Sequence, residues 1–385
     1  MKELKLRDVA PGNLLARPVT GKTGVTMLES GTALTPQYIE RLKNLGIDSV
    51  FVLEHDDSSV SSRKPSKFAA PQRPSRWELL SADERESKKN DVKAREAACY
   101  ELLLMTESDR DLGNMAIPLR DDNQLRRLRG VFAEIVRQRS LAEELGVLYV
   151  TDHFVFQHSL RVGLLSGIIG LAKDYDTSRL YELVLGGLLF DIGMTTLPPE
   201  LLRKSGQLRP DEKSLMRQHT TEGYRILTML PDVSAAAAKC ALLHHERYRG
   251  EGYPFGLKAD DTPEFAQIVG LADIYDALTS PRHYRSAFTP GDAVEYLFAA
   301  GNYDFDMSLI WVFLKNVFVF PVASVIRLSN GQIGVVSGAD SSLNHRPVVQ
   351  IIREADGTPV VRPYPVDLAV NRNLTIVGAA PVTAE

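Results

Sequence analysis

Residues 152–170 read DHFVFQHSLRVGLLSGIIG, a helical pattern that is apolar along most of its length and carries an imidazole on its greasy stripe. His158 precedes Val162, Leu165 and Ile169 at offsets of four, seven and eleven, so it shares their inward face. A single histidine so placed is ordinarily a hydrogen-bonded core residue. Further inward-facing ionisable residues along the chain argue otherwise. In RLYELVLGGLLFDIG, residues 179–193, Asp191 follows Gly187 by four and Val184 by seven, which puts a carboxylate on the buried face at the end of an apolar helix. In PDEKSLMRQHTTEGYRIL, residues 210–227, His219 shares a face with Leu215, Gly223 and Ile226. His244 and His245 end the apolar helix SAAAAKCALLHHE, and Asp273 follows Val269 by four in QIVGLADIYDAL.

Helix therefore follows helix from about Thr151 to Ala300, with Pro and Gly at the breaks and no strand alternation. The expected fold is mainly α, and its helices aim imidazoles and carboxylates at one interior. A buried carboxylate is costly unless a cation or donors repay its lost hydration. So many ionisable groups in one interior point to a divalent metal centre with mixed nitrogen and oxygen ligands, of the kind that suits iron, manganese, zinc or nickel. Two metals held close together are the usual device for displacement at phosphorus.

The flanks read differently. Residues 1–54 alternate apolar and polar positions in ELKLRDV and DSVFVL around a helix signal that starts at Thr35 and Pro36 and stops at Gly46, which predicts a small α/β domain. Residues 55–90 are rich in Ser, Pro and both signs of charge, the texture of a linker. Residues 91–145 carry helical periodicity and form a connector, residues 146–312 the all-helical domain, and residues 313–385 a small β unit with hairpin signals at Asn330-Gly331 and Asp356-Gly357.

With 385 residues, 44% of them hydrophobic and 24% charged, and a net charge of -4, the chain has an ordinary globular composition and no bulk basic surface for DNA. The longest greasy runs fall short of the ~20 residues of a membrane span. Two widely spaced cysteines, Cys99 and Cys240, make no CxxC motif. A cytoplasmic protein with no export signal is the expectation.

The ordered set His158, Asp191-Ile192-Gly193, His219, His244-His245-Glu246, Gly250-x-Gly252-Tyr253-Pro254 and Asp273-x-x-Asp276-Ala277-Leu278-Thr279 resembles the HD-GYP family over about Thr151 to Leu297. That resemblance implies an HD-type helical fold and a metal-dependent phosphodiesterase acting on cyclic di-GMP. It implies one metal held by Asp191, His219, His244 and His245, and a second held by His158, Asp191, Asp273 and the histidine of the His-Asp pair. It further implies phosphate contacts from Arg282 and Arg285, and a loop at Gly252, Tyr253 and Pro254 that meets diguanylate cyclase (GGDEF) domains.

This chain departs from that pattern. Phe190 stands where the pair has histidine, and Met194 where HDIGK has its phosphate-contacting lysine. Arg249 replaces the aspartate of DGxGYP, and Gln267 stands where arginine is common. Lys204 resembles a frequent family residue that serves the fold. One cation site is thus expected complete and the second depleted, with Asp191 the central group if hydrolysis survives. The expected function is a cyclic di-GMP signalling protein whose hydrolysis is weak or lost while ligand or partner binding is retained. The alternatives are a working phosphodiesterase on cyclic di-GMP or its linear product pGpG, and an interaction scaffold that binds neither metal nor nucleotide.

Overall fold

The computed structural model describes residues 2–9, 16–17, 19–20, 26–28, 47–52, 82–107, 112, 116, 118–204, 206–280, 288, 290–320, 322–338 and 345–380. The chain divides into two compact units, Met1–Arg73 and Pro74–Glu385. In the first, β1 (Lys2–Lys5), β2 (Val19–Thr20), β3 (Thr26–Leu28) and β4 (Ser49–Val52) form two antiparallel ribbons, β1 with β4 and β2 with β3. The period-two pattern of β4 turns Val50 and Val52 into a small core with Leu6, Val9 and Val19. The helix expected over 35–46 lies outside the described residues.

The second unit opens with α1 (Ala82–Lys89), inside the span expected to be a linker. Its sequence offers almost no apolar surface. It docks instead through charge, with Arg85, Lys88 and Lys89 turned inward, which is why composition alone did not reveal it. The connector supplies α2 (Val92–Leu104), α3 (Asp122–Arg137) and α4 (Arg139–Thr151). Asp91 and Asp121 cap α2 and α3 by accepting from backbone N–H groups of their first turns.

The helical core follows as α5 (His153–Ala172), α6 (Thr177–Leu189), α7 (Pro199–Leu202), α8 (Pro210–Arg217), α9 (His219–Thr228), α10 (Ala235–Leu243) and α11 (Glu264–Thr279). Asp152, Asp176 and Ser234 cap α5, α6 and α10. α5 packs on α6 and α11, and α10 lies against α6, α9 and α11, so the carriers of all the candidate ligands touch one another. α5 is long and apolar enough to cross a membrane by length and composition, yet 78% of its apolar window is buried inside the protein.

α12 (Pro290–Ala300) and α13 (Met307–Asn316) close the bundle. Then come β5 (Val325–Leu328), β6 (Ile333–Gly338), β7 (Val348–Arg353), β8 (Pro359–Asp367) and β9 (Ile376–Ala379), an antiparallel sheet in the order β8-β7-β6-β5-β9. Gly331 and Gly357 take the positive φ that the two hairpin turns require. Ile326, Leu328, Val336, Val349 and Ile351 are buried on the sheet and continuous with the helical core. The fold is mainly helical with a small C-terminal sheet, as expected.

Candidate metal centre

α6 ends at Phe190, and Asp191 opens the 3-10 turn Ile192–Thr196. That turn lies backbone to backbone on α9: a Cβ at Gly193 would stand 1.9 Å from the His219 carbonyl oxygen, so only glycine permits the approach. The approach sets Asp191 Oδ1 3.4 Å from His219 Nε2 and 3.7 Å from His244 Nε2.

The two histidines are held by their other nitrogens. His219 Nδ1 donates to the Met216 carbonyl at 2.7 Å, and His244 Nδ1 to the Cys240 carbonyl at 2.9 Å. A carbonyl can only accept, so each ring carries a proton on Nδ1, and in its neutral form presents a bare Nε2. Those two bare nitrogens face each other at 3.2 Å. With both rings neutral, two lone pairs would meet there, an arrangement that a cation between them would relieve.

His245 completes the group, its ligand atom and those of His219 and His244 all lying within 4.8 Å of one another. Burial, with the nearby His219, pushes His244 down to about 3. Burial likewise holds His245 well below the ordinary histidine value, helped by His244, His219 and Arg247. Neutral imidazoles and one carboxylate, oriented by backbone acceptors, fit a divalent cation of the nitrogen-preferring kind.

His158 is held in the opposite way. Its Nδ1 lies 2.7 Å from Asp276 Oδ2 and its Nε2 2.9 Å from Asp273 Oδ1, so both ring nitrogens face carboxylates. Arg161 Nε donates to Asp276 Oδ1 at 2.6 Å. Burial alone would lower His158, but the hydrogen bonds and charges of Asp273 and Asp276 prevail and raise it to about 9. Both ring nitrogens therefore face carboxylate oxygens, Nδ1 that of Asp276 and Nε2 that of Asp273.

Between the two halves stands Phe190, 1% exposed. Its ring meets His158 edge-on at 5.5 Å between centroids and His244 at 4.9 Å. Met194 packs with Leu197, Leu201 and Leu215 in a separate apolar cluster. Arg249 donates to the Asn302 carbonyl at 2.9 Å and lies over Tyr303. Gln267 donates to the carbonyls of Ala259 and Thr262, and Lys204 pairs with the buried Glu212, both structural tasks. Arg282 and Arg285 lie outside the described residues.

The Gly252-Tyr253-Pro254 loop is moored by Glu246, a buried carboxylate that accepts from the backbone N–H of Phe255 at 2.7 Å and of Leu257 at 2.8 Å. A Cβ at Gly252 would sit 2.4 Å from Glu246 Cα and from the His245 carbonyl oxygen, so the loop presses directly on the His245 backbone. Tyr253 stacks on His245 at 4.5 Å, and Arg217 lies over its ring at 4.7 Å.

Residues 147–309 match the family described as HD domain, and residues 325–383 the KOW domain associated with HD domain. A cyclic di-GMP phosphodiesterase of Pseudomonas aeruginosa, PA4108, is 31% identical over 255 residues, which is 66% of this chain and 61% of that protein. Over residues 147–309 the chain is an HD domain of HD-GYP type. Another relative of HD-GYP type, a cyclic di-GMP phosphodiesterase of Thermotoga maritima, is 36% identical over 167 residues, 43% of this chain and 45% of its own length. The chain thus spans less than two thirds of either relative. Among solved structures, the HDG"Y"P protein Bd1817 of Bdellovibrio bacteriovorus covers 81% of this chain and 97% of its own at 16% identity, with a TM-score of 0.38.

The structure brings Asp191, His219, His244 and His245 together as one group and His158 with Asp273 as another. Sequence reasoning did not assign roles to Asp276, Arg161 or Glu246. Asp276 was detectable, since three residues after Asp273 it shares that helix face. Arg161, three after His158, follows from the same rule. Glu246 carried no signal, because its partners are backbone groups of a loop whose path the sequence does not fix.

Proposed function

We propose that the chain is a cyclic di-GMP signalling protein in which the phosphodiesterase centre of HD-GYP relatives is reduced to one cation site. The observation that carries this is the Phe190 ring lodged between His158 and His244 while both nitrogens of His158 are occupied by Asp273 and Asp276. Asp191, His219, His244 and His245 would hold a divalent cation, iron, manganese, zinc or nickel, through a carboxylate oxygen and neutral imidazole nitrogens. Bound there, it would supply Lewis acidity and lower the pKa of a coordinated water.

In-line cleavage of a phosphodiester draws on charge stabilisation at both the entering and the leaving oxygen. Here Phe190 offers no donor and Met194, sequestered among leucines, no positive charge. Loss of one such stabilising element commonly costs on the order of 10²-fold in rate. Hydrolysis is therefore weak or lost, and binding of the dinucleotide is retained. The Gly252-Tyr253-Pro254 loop, with Phe255 half exposed beside it, is the surface offered to a diguanylate cyclase (GGDEF) domain. The two free cysteines fit a cytoplasmic setting.

The test is metal content and turnover of the purified chain with manganese and ferrous iron. One ion per chain and little cleavage of cyclic di-GMP are expected. The intact four-residue set favours a second reading, a working phosphodiesterase on cyclic di-GMP or pGpG with a single cation. Brisk turnover that disappears in His245→Ala would establish it and displace the first.

A further inference from the structure

Glu144 on α4 is wholly buried, at 0% exposure. A carboxylate there needs positive partners, and both come from one face of α1. Arg85 forms an ion pair with Glu144 Oε2 and has Nη1 3.4 Å from Oε1, while Lys89 Nζ lies 2.9 Å from Oε1. Residues 85 and 89 are one turn apart, so the two cations close on one acid. Lys88 adds a bond to Thr151 Oγ1 at the end of α4, at 3.0 Å.

The remaining donor of Arg85 leaves this cluster. Its Nε donates to Thr195 Oγ1 at 3.0 Å, and the Thr195 hydroxyl, itself fully buried, donates to the Ile192 carbonyl at 2.6 Å. Thr195 belongs to the 3-10 turn that Asp191 opens. One side of that turn is fixed by backbone contact at Gly193 against α9, the helix that begins with His219. The other side rests on α4 and on the Arg85 guanidinium. The carboxylate nearest the histidine nitrogens therefore hangs on a turn gripped from two sides, and α1 supplies one grip.

We propose that Arg85 is a positioning residue for the metal centre: through Thr195 it fixes the turn that aims Asp191 at His219 and His244. This rests on the reading that those residues hold a cation. An outer partner of a metal ligand is commonly worth 10- to 100-fold in metal affinity, and that is the size expected here. It also gives α1, the first described helix of the second unit, a direct mechanical link to the centre.

The experiment measures Zn²⁺ and Mn²⁺ affinity of the full chain by competition with a chromogenic chelator, alongside thermal melts. Thr195→Val, which keeps size but removes the hydroxyl while leaving Arg85 on Glu144, should weaken affinity about 10- to 100-fold. Arg85→Met should do the same, and Thr195→Ser should restore wild-type affinity. Glu144→Gln, which keeps the Arg85 to Thr195 bond, should lower the melting temperature with little change in affinity. That split separates positioning from support of the fold. Unchanged affinity in both Thr195→Val and Arg85→Met, with the wild type binding metal, would overturn the proposal alone. A wild-type chain that binds neither ion would overturn the cation site and the proposal with it.

Discussion

Phe190→His is the perturbation that bears most directly on the proposed reduction to one cation site. The wild-type ring is 1% exposed and packed edge-on against two imidazoles. Putting an imidazole there gives up part of the roughly 1.5–3 kcal/mol that a buried phenylalanine contributes. It also buries ring nitrogens without assured partners, at about 1–3 kcal/mol. In excess chelator the variant should therefore be less stable by about 2–4 kcal/mol, on the order of 3–6 °C in melting temperature for a unit of this size. An added ion at 100 times its Kd restores about 2.7 kcal/mol per site. With metal in excess the variant should recover much of its deficit and show a larger metal-induced shift than the wild type. Elemental analysis should rise from one ion per chain towards two. Adding Met194→Lys should then raise cleavage of cyclic di-GMP. Two ions on the wild-type chain, or equal metal-induced shifts in both proteins, would refute the idea that Phe190 closes the second site.

Three further outcomes are expected from the geometry around the centre. Glu246→Ala strips the acceptor from the Phe255 and Leu257 N–H groups and should cost about 3 kcal/mol, with new protease cleavage in the loop; wild-type resistance and stability would count against its mooring role. Gly252→Ala drives a methyl group into the His245 and Glu246 backbone, so it should lower the unfolding free energy by about 1–3 kcal/mol and weaken metal binding together, and a silent variant would mean that the loop is free to shift. Glu264 is pulled the other way by burial, but the hydrogen bonds of Lys173 and Tyr175 win and hold it below the ordinary value of 4.5. Because its folded pKa is depressed, it stabilises the protein above that value and ceases to do so as pH falls through the folded pKa; Glu264→Gln should flatten that acid limb in denaturation midpoints taken from pH 6 downward, and an unaltered pH profile would exclude the contribution.

The helical domain was legible because its signals are local and periodic. The offsets from His158, Asp191, His219 and Asp273 to their apolar neighbours fix which way each side chain faces, and helix geometry needs nothing else. The β tail announced itself through Asn330-Gly331 and Asp356-Gly357. α1 was invisible for the converse reason: nothing in ADERESKK is periodic in apolar residues, and its docking depends on Glu144, a single acid more than fifty residues away. Periodicity could enumerate the inward-facing polar groups, and it was the family resemblance, not helix geometry, that sorted them into two sets. Phe190 was visible as a missing donor; that its ring would separate His158 from His244 needed coordinates.

Charge separates the two halves of the centre as sharply as the aromatic ring does. In the His158 half, Asp273 and Asp276 face the imidazole of His158 and the guanidinium of Arg161, at 2.9, 2.7 and 2.6 Å. Two carboxylates thus meet an imidazole and a guanidinium within hydrogen-bonding distance. Under the proposed reading, a cation entering there would have to break these hydrogen bonds. In the other half a single carboxylate, Asp191, faces imidazoles that burial keeps neutral at His244 and His245. There Nε2 of His219 and Nε2 of His244 lie 3.2 Å apart beside one carboxylate, an arrangement suited to the proposed cation. Under the proposed reading, Phe190 does more than withhold a donor: its apolar ring lies against His158 and His244 while both nitrogens of His158 are taken up by its two aspartates.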